Sequence, residues 1–160
     1  MEYRKDKRTK NLSLRDIHVG DWVQVWSETT ERYSPPLKII QICDDGTIYL
    51  VTSDEERCTP WEEDIKNVDA LPIDGDLLRG FGFEKLYDNF YYSKDGASVM
   101  AQDKQLGVLD FFCIDKYGES VSLGDIAYMH ELQQALHEER NFIGDVNIEW
   151  KGLRNDRARI

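Results

Sequence analysis

The residues of this chain that could do chemistry are three histidines, three cysteines and a dense set of carboxylates. His130 and His137 lie in YMHELQQALHEE, whose spacing predicts a helix, and helical histidines beside glutamates invite a metal reading. The spacing opposes it. Seven residues make two turns, so the rings start about 10 Å apart along the axis, whereas ligands to one zinc must each lie about 2 Å from the metal. Neither histidine has a His, Asp, Glu or Cys three or four residues away on the helix. His130 and Gln133 are therefore expected to cap backbone groups where the helix crosses a sheet. His18, in RDIHVGDW, would need a serine or cysteine nucleophile nearby and a third group to orient it. No Gly-x-Ser-x-Gly or nucleophile-type cysteine signature is present, and His18 reads as a turn residue. Gly80-Phe81-Gly82 follows a helix-like stretch and is flanked by bulky residues, so it does not read as a phosphate loop. Cys43, Cys58 and Cys113 form neither a metal ladder nor a closed disulfide set, which points to reduced thiols in the cytoplasm. No catalytic residue, metal ligand or cofactor is expected.

The carboxylates are more specific. Residues 44–76 hold eleven acids against Arg57 and Lys66. Glu55-Glu56 and Glu62-Glu63-Asp64 are expected in loops, and no apolar surroundings mark one acid for a raised pKa. Together Asp54, Glu55, Glu56, Glu62, Glu63 and Asp64 make a candidate acidic face for a basic partner. Charge is also segregated. The net of −11 includes +4 over residues 1–15 and +3 over 151–160, so residues 16–150 carry −18. Such a body repels nucleic-acid phosphates and attracts basic surfaces. The two basic ends lack apolar periodicity, and residues 1–11 and 151–160 are expected to be flexible tails. The plainer reading of the acidic surface is solubility alone.

These groups must be positioned by short elements. Trp22–Trp26, Leu37–Ile42 and Thr47–Val51 read as strands, the last two joined through Asp44-Asp45-Gly46, a hairpin signal. Thr59-Pro60-Trp61-Glu62 carries a helix-start pattern, with Thr as cap and Pro at the first helical position. Short strands, a long loop at 27–36 and one helical turn before the last strand suggest a small Src-homology-type β-barrel over 12–72. Trp22 and Trp26 share one face of the first strand and Val23 and Val25 the other. An exposed tryptophan that could stack a nucleic-acid base is one expectation for this strand. A hinge helix is predicted from Asp74 to about Gly80, capped by Asp74 and stopped by glycine. Strands follow at 83–86, 90–93, 98–101 and 108–114, rich in Phe and Tyr that bury large areas. A helix over 125–140, with Ser122 and Asp125 as a capping box, presents Ile126, Tyr128, Met129, Leu132, Ala135 and Leu136 on one half of its wheel. A last strand is expected at 146–150. The fold class is α+β, with the barrel at 12–72 and a small antiparallel sheet packed on one helix over 73–150.

Leu14-Arg15 through Val23, Asp45-Gly46-Thr47-Ile48-Tyr49, Pro72 through Lys85 and Tyr128 through Leu136 form a pattern. It resembles a family of small proteins from gut bacteria, their phages and mobile elements. Members tend to read Pro-Ile-Pro-Leu-Thr where this chain has Leu71 to Gly75, and Val-His-Gln-Leu-Gln-Asn where it has Met129 to Gln134. The resemblance implies a phage or mobile-element context and no reaction. The expected function is a non-catalytic protein that engages a basic host or phage protein through its acidic face. A nucleic-acid-associated barrel using Trp22 or Trp26 with the basic tails is the alternative, and a small enzyme using His18 or His130 a weaker one. No membrane association is expected, since the longest apolar runs fall far short of about 20 residues.

Overall fold

A computed structural model describes residues 8–52, 59–87, 89–93, 98–104, 108–139 and 150. The protein is α+β and mostly β, and it divides into two compact units, up to Pro72 and from Ile73 onward.

The first unit contains β1 (Trp22–Ser27), β2 (Arg32–Tyr33), β3 (Leu37–Ile42), β4 (Thr47–Val51), β5 (Trp61–Asp64) and β6 (Val68–Asp69) in one antiparallel sheet. β1 serves three partners along its length: Trp22 and Val23 face β3, Gln24 and Val25 face β6, and Trp26 and Ser27 face β2. The β3–β4 hairpin forms as expected from Asp-Gly. Gly46 takes φ +93°, a region open to glycine at little steric cost, and Asp45 accepts from the Thr47 amide at 2.9 Å. β5 lies three strands from β1, roughly 14 Å away in a flat sheet. A 3₁₀ turn over Ile65–Asn67, advancing only about 6 Å, nevertheless returns the chain to β6, which is bonded to β1. The sheet therefore curls. Leu37, Ile39, Ile48, Leu50 and Val68 are fully enclosed.

The helix start expected at Thr59 is a strand instead. Residues 61–64 pair with β4, from Trp61 opposite Leu50 to Asp64 opposite Thr47. That ladder satisfies their backbone groups, and a proline at a strand entry or edge removes no essential bond. Capping still occurs, displaced along the chain: Asp64 accepts from the Lys66 amide at 2.9 Å and opens the 3₁₀ turn.

The second unit contains α1 (Gly75–Gly80), β7 (Phe83–Lys85), β8 (Phe90–Ser93), β9 (Val99–Asp103), β10 (Leu109–Ile114), β11 (Ser120–Ile126) and α2 (Met129–Glu138). The strands form an antiparallel meander in sequence order. α1 begins as its sequence dictates, with Asp74 accepting from the Leu77 amide at 2.8 Å. Tyr91, Ala101 and Phe111 line up across three strands on the buried face, and α2 buries Met129, Leu132 and Leu136 at helical spacing. Tyr92, Met100 and Phe112 line up on the opposite face and are half-buried.

The expected helix start at Asp125 is corrected. Ser122 and Asp125 belong to β11, opposite Phe112 and Asp110, and α2 begins only after Tyr128, which makes no side-chain cap. Six paired residues of ladder outweigh one capping box worth about 1 kcal/mol. The strand expected at 146–150 lies, apart from Trp150, outside the described residues. Trp150 meets Phe81 edge to face, centroids 5.1 Å apart.

Candidate functional site

The acidic residues fall on an edge. β5 ends the strand path of its sheet, and its partner is β4. Pairing alternates its side chains. Trp61 and Glu63 stand on the side of Leu50 and Ile48, and Glu62 and Asp64 on the side of Tyr49 and Thr47. Trp61 nevertheless stays 40 % exposed, because an edge strand has a neighbour on one side only. Glu62 accepts from the Tyr49 hydroxyl at 3.1 Å, Glu63 from the Asn67 amide at 3.0 Å, and Asp64 from the Lys66 backbone. These donors are neutral, and among the described residues no ion pair to the three carboxylates is formed. The bond to Glu62 holds the Tyr49 hydroxyl above its usual pKa. Asp54, Glu55 and Glu56 lie outside the described residues, as does Cys58.

A second polar constellation was missed by sequence reasoning. Asp69 on β6 is fully buried, yet its carboxylate collects four hydrogen bonds. Arg8 donates from Nε to Oδ2 at 2.9 Å and from Nη2 to Oδ1 at 2.6 Å. Tyr33 donates to Oδ2 at 2.6 Å, and Asn11 donates from Nδ2 to Oδ1 at 3.0 Å. Arg8 Nη2 also reaches the Lys66 carbonyl at 3.0 Å, and its guanidinium lies 5.9 Å from the Trp26 ring centre. Trp26 and Tyr33 pack edge to face at 4.9 Å. Hydrogen bonding to Asp69 holds the Arg8 guanidinium above its ordinary range. Burial, then the bond to Asp69, pushes Tyr33 up. Thr9 and Asn11 complete the clasp: Thr9 donates to the Ala70 carbonyl at 2.7 Å and Asn11 bridges to Asp69. Residues 8–11, expected as part of a flexible tail, are therefore bonded across β6.

This clasp covers Trp26. Trp22 and Trp26 were expected to offer an exposed aromatic; they are 0 % and 4 % exposed. The face of β1 that carries Gln24 and Trp26 lies under Thr9 and Arg8, with Gln24 donating to the Thr9 hydroxyl and the Ala70 carbonyl. Trp26 cannot stack a base without moving that segment, and Trp22 is fully enclosed.

The histidines are dispersed. His18 is exposed, 3.9 Å from Asp21, whose carboxylate accepts from the His18 amide at 2.8 Å, a turn arrangement. His130 is buried on α2 and stacks on Tyr128 at 6.2 Å, and Gln133 is buried on the same helix. Cys113 is buried in β10, where desolvation raises its thiol pKa, and Cys43 is half-buried. Among the described residues no three His, Cys, Asp or Glu side chains gather as metal ligands, and no helix is long and apolar enough to cross a membrane. No protein-family model matches the chain, and comparison with curated proteins and with solved structures yields no match.

Proposed function

We propose that the protein is a non-catalytic, cytoplasmic interaction protein that binds a basic host or phage partner through the β5 edge. The observation that carries this reading is an edge strand with Glu63 and the exposed Trp61 on one side and Glu62 and Asp64 on the other, the carboxylates accepting from neutral donors. An exposed indole offers apolar contact area with little entropy to lose, and carboxylates along the same strand select a cationic partner and accelerate its approach. Asp54, Glu55 and Glu56, close in sequence to β5, would extend the negative face. The same reading takes the first unit as a small barrel of the Src-homology type, supported by its curled antiparallel sheet and the 3₁₀ turn before the last strand. A phage or mobile-element context rests on the family pattern in the sequence. Burial of Trp22 and Trp26 weighs against base stacking.

Capture from bacterial lysate at low and high salt tests this. A basic protein retained at low salt and lost when Glu62, Glu63 and Asp64 become Gln, Gln and Asn is the expected result. Capture unchanged by those substitutions overturns the assignment of the face. A DNA or RNA gel shift that disappears on deleting residues 1–7 would favour the nucleic-acid alternative.

A further inference from the structure

The clasp at Asp69 has the chemistry of a receptor for arginine. Its carboxylate is fully buried and meets the guanidinium through both oxygens, while the Lys66 carbonyl takes a third donor. Only a planar fork of donors satisfies both carboxylate oxygens and a carbonyl at once; a lysine ammonium is a single point. The Trp26 ring adds an aromatic wall at cation–π distance. Tyr33 and Asn11 donate to the carboxylate independently of Arg8, so the receiving groups are aimed before any guanidinium arrives. The guanidinium itself is held less completely. The Arg8 side chain is 26 % exposed, so the pocket opens to solvent. Among the described residues, backbone pairing to this unit begins at Lys10, whose carbonyl accepts from the Ala70 amide, two positions beyond Arg8.

We propose that Asp69, Tyr33, Asn11, Trp26 and the Lys66 carbonyl form a guanidinium-binding pocket that Arg8 fills in cis, and that an arginine side chain of a partner peptide takes its place. Arg8 is then a competitor built into the chain. It shields a buried carboxylate that would otherwise lack a counter-charge and lowers the apparent affinity for arginine presented from outside. This site is separate from the acidic groups of β5, and the inference does not depend on them.

The test uses the full chain with Arg8→Ala and the small probes ethylguanidinium and ethylammonium at equal concentration. Arg8→Ala should lower the melting temperature. Millimolar ethylguanidinium should recover part of the loss, and ethylammonium should not. The recovery should vanish in the Arg8→Ala, Asp69→Asn double variant. A short peptide with one central arginine should bind Arg8→Ala at least about tenfold more tightly than the unsubstituted chain, because the competing occupant is gone. Its lysine counterpart should show no such gain. Should Arg8→Ala fail to fold, Arg8→Lys keeps a cation without the fork, and arginine-peptide binding to it is followed by tryptophan fluorescence. Equal effects of the two probes, recovery that survives loss of the Asp69 carboxylate, or arginine-peptide affinity unaffected by either Arg8 substitution overturns the proposal.

Discussion

The two units close their buried surfaces by opposite means. In the first, β1 is buried along its whole run of hydrophobic residues, and the face with Gln24 and Trp26 lies under polar groups from residues 8–11. In the second, closure near α1 is aromatic. Tyr91 lies against Gly75 and the Trp150 ring against Gly80, so closely that an added Cβ would collide with the Tyr91 hydroxyl and with the Trp150 ring. Polar closure depends on charge and on complete hydrogen bonding, and it fails when one partner is removed. Aromatic closure depends on shape, and it fails when one methyl is added. The molecule therefore has two kinds of weak point, and each can be struck without touching the other.

The largest effect should come from Asp69→Ala. It removes the acceptor of four hydrogen bonds and leaves Arg8, Tyr33 and Asn11 with donors facing a void. Breaking a buried pair from one side costs about 3–5 kcal/mol. Hydrogen exchange should show amides of β1 and β6 losing protection while those of β9 and β10 keep theirs. Uniform loss in both units would erase the contrast.

How much of this was legible follows the range of the interactions. α1 and the β3–β4 hairpin were readable because their determinants, the Asp74 cap and Asp45-Gly46, lie within a few residues of what they control. β5 and β11 were misread for one reason. Their local patterns announce helix caps, and pairing with β4 and β10 overrides them. The clasp was illegible because Arg8 and Asp69 stand 61 positions apart. By charge alone Arg8 was one of five cations in an apparent tail. A lone carboxylate between Val68 and Ala70-Leu71, where a strand should be apolar, was the available hint. The acidic run was visible as composition, but its place on a sheet edge beside Trp61 was not, since the segment read as loop and helix start.

Gly80→Ala is the next test, and it tests shape. In an open helix, alanine gains about 1 kcal/mol over glycine. Here the new methyl meets the Trp150 ring, which is itself packed on Phe81. Overpacking costs about 1–3 kcal/mol, so the net should be destabilising by up to about 2 kcal/mol, with Trp150 emission shifted to the red as its ring is displaced. A gain in stability would show that the ring yields freely.

Tyr33→Phe should cost less than Asp69→Ala and separate the units by pH. It removes one hydrogen bond to a carboxylate, worth about 1.5–3 kcal/mol, and the acceptor of the Thr9 amide. The Tyr33 pKa is raised by burial and then by Asp69, so the folded state favours the neutral hydroxyl. Its contribution is complete below the ordinary tyrosine value of about 10 and is lost as pH rises through the raised value. Tyr91 is also raised, by burial. The unsubstituted chain should therefore lose stability above about pH 10, and Tyr33→Phe should lose it less steeply, keeping the Tyr91 part. Identical alkaline slopes would mean that Tyr33 carries no share.

The smallest expected effect isolates burial from geometry. Arg79 and Asp76, at the two ends of one turn of α1, approach to 2.6 Å, the same distance as Arg8 and Asp69. Their side chains are 53 % and 70 % exposed, whereas that of Asp69 is fully enclosed. In water the attraction is screened and both side chains lose rotamer freedom to keep it, so a helical pair of this spacing is worth about 0.3 kcal/mol. Arg79→Ala should move the melting temperature by a degree or less, and a double-mutant cycle with Asp76→Ala should give a coupling near zero that shrinks further in salt. The matching cycle of Arg8→Ala with Asp69→Ala should give a coupling several times larger, with little salt dependence. Equal couplings would mean that the enclosed carboxylate of the first unit is solvated in solution, and the contrast between a polar closure and a surface pair would not stand.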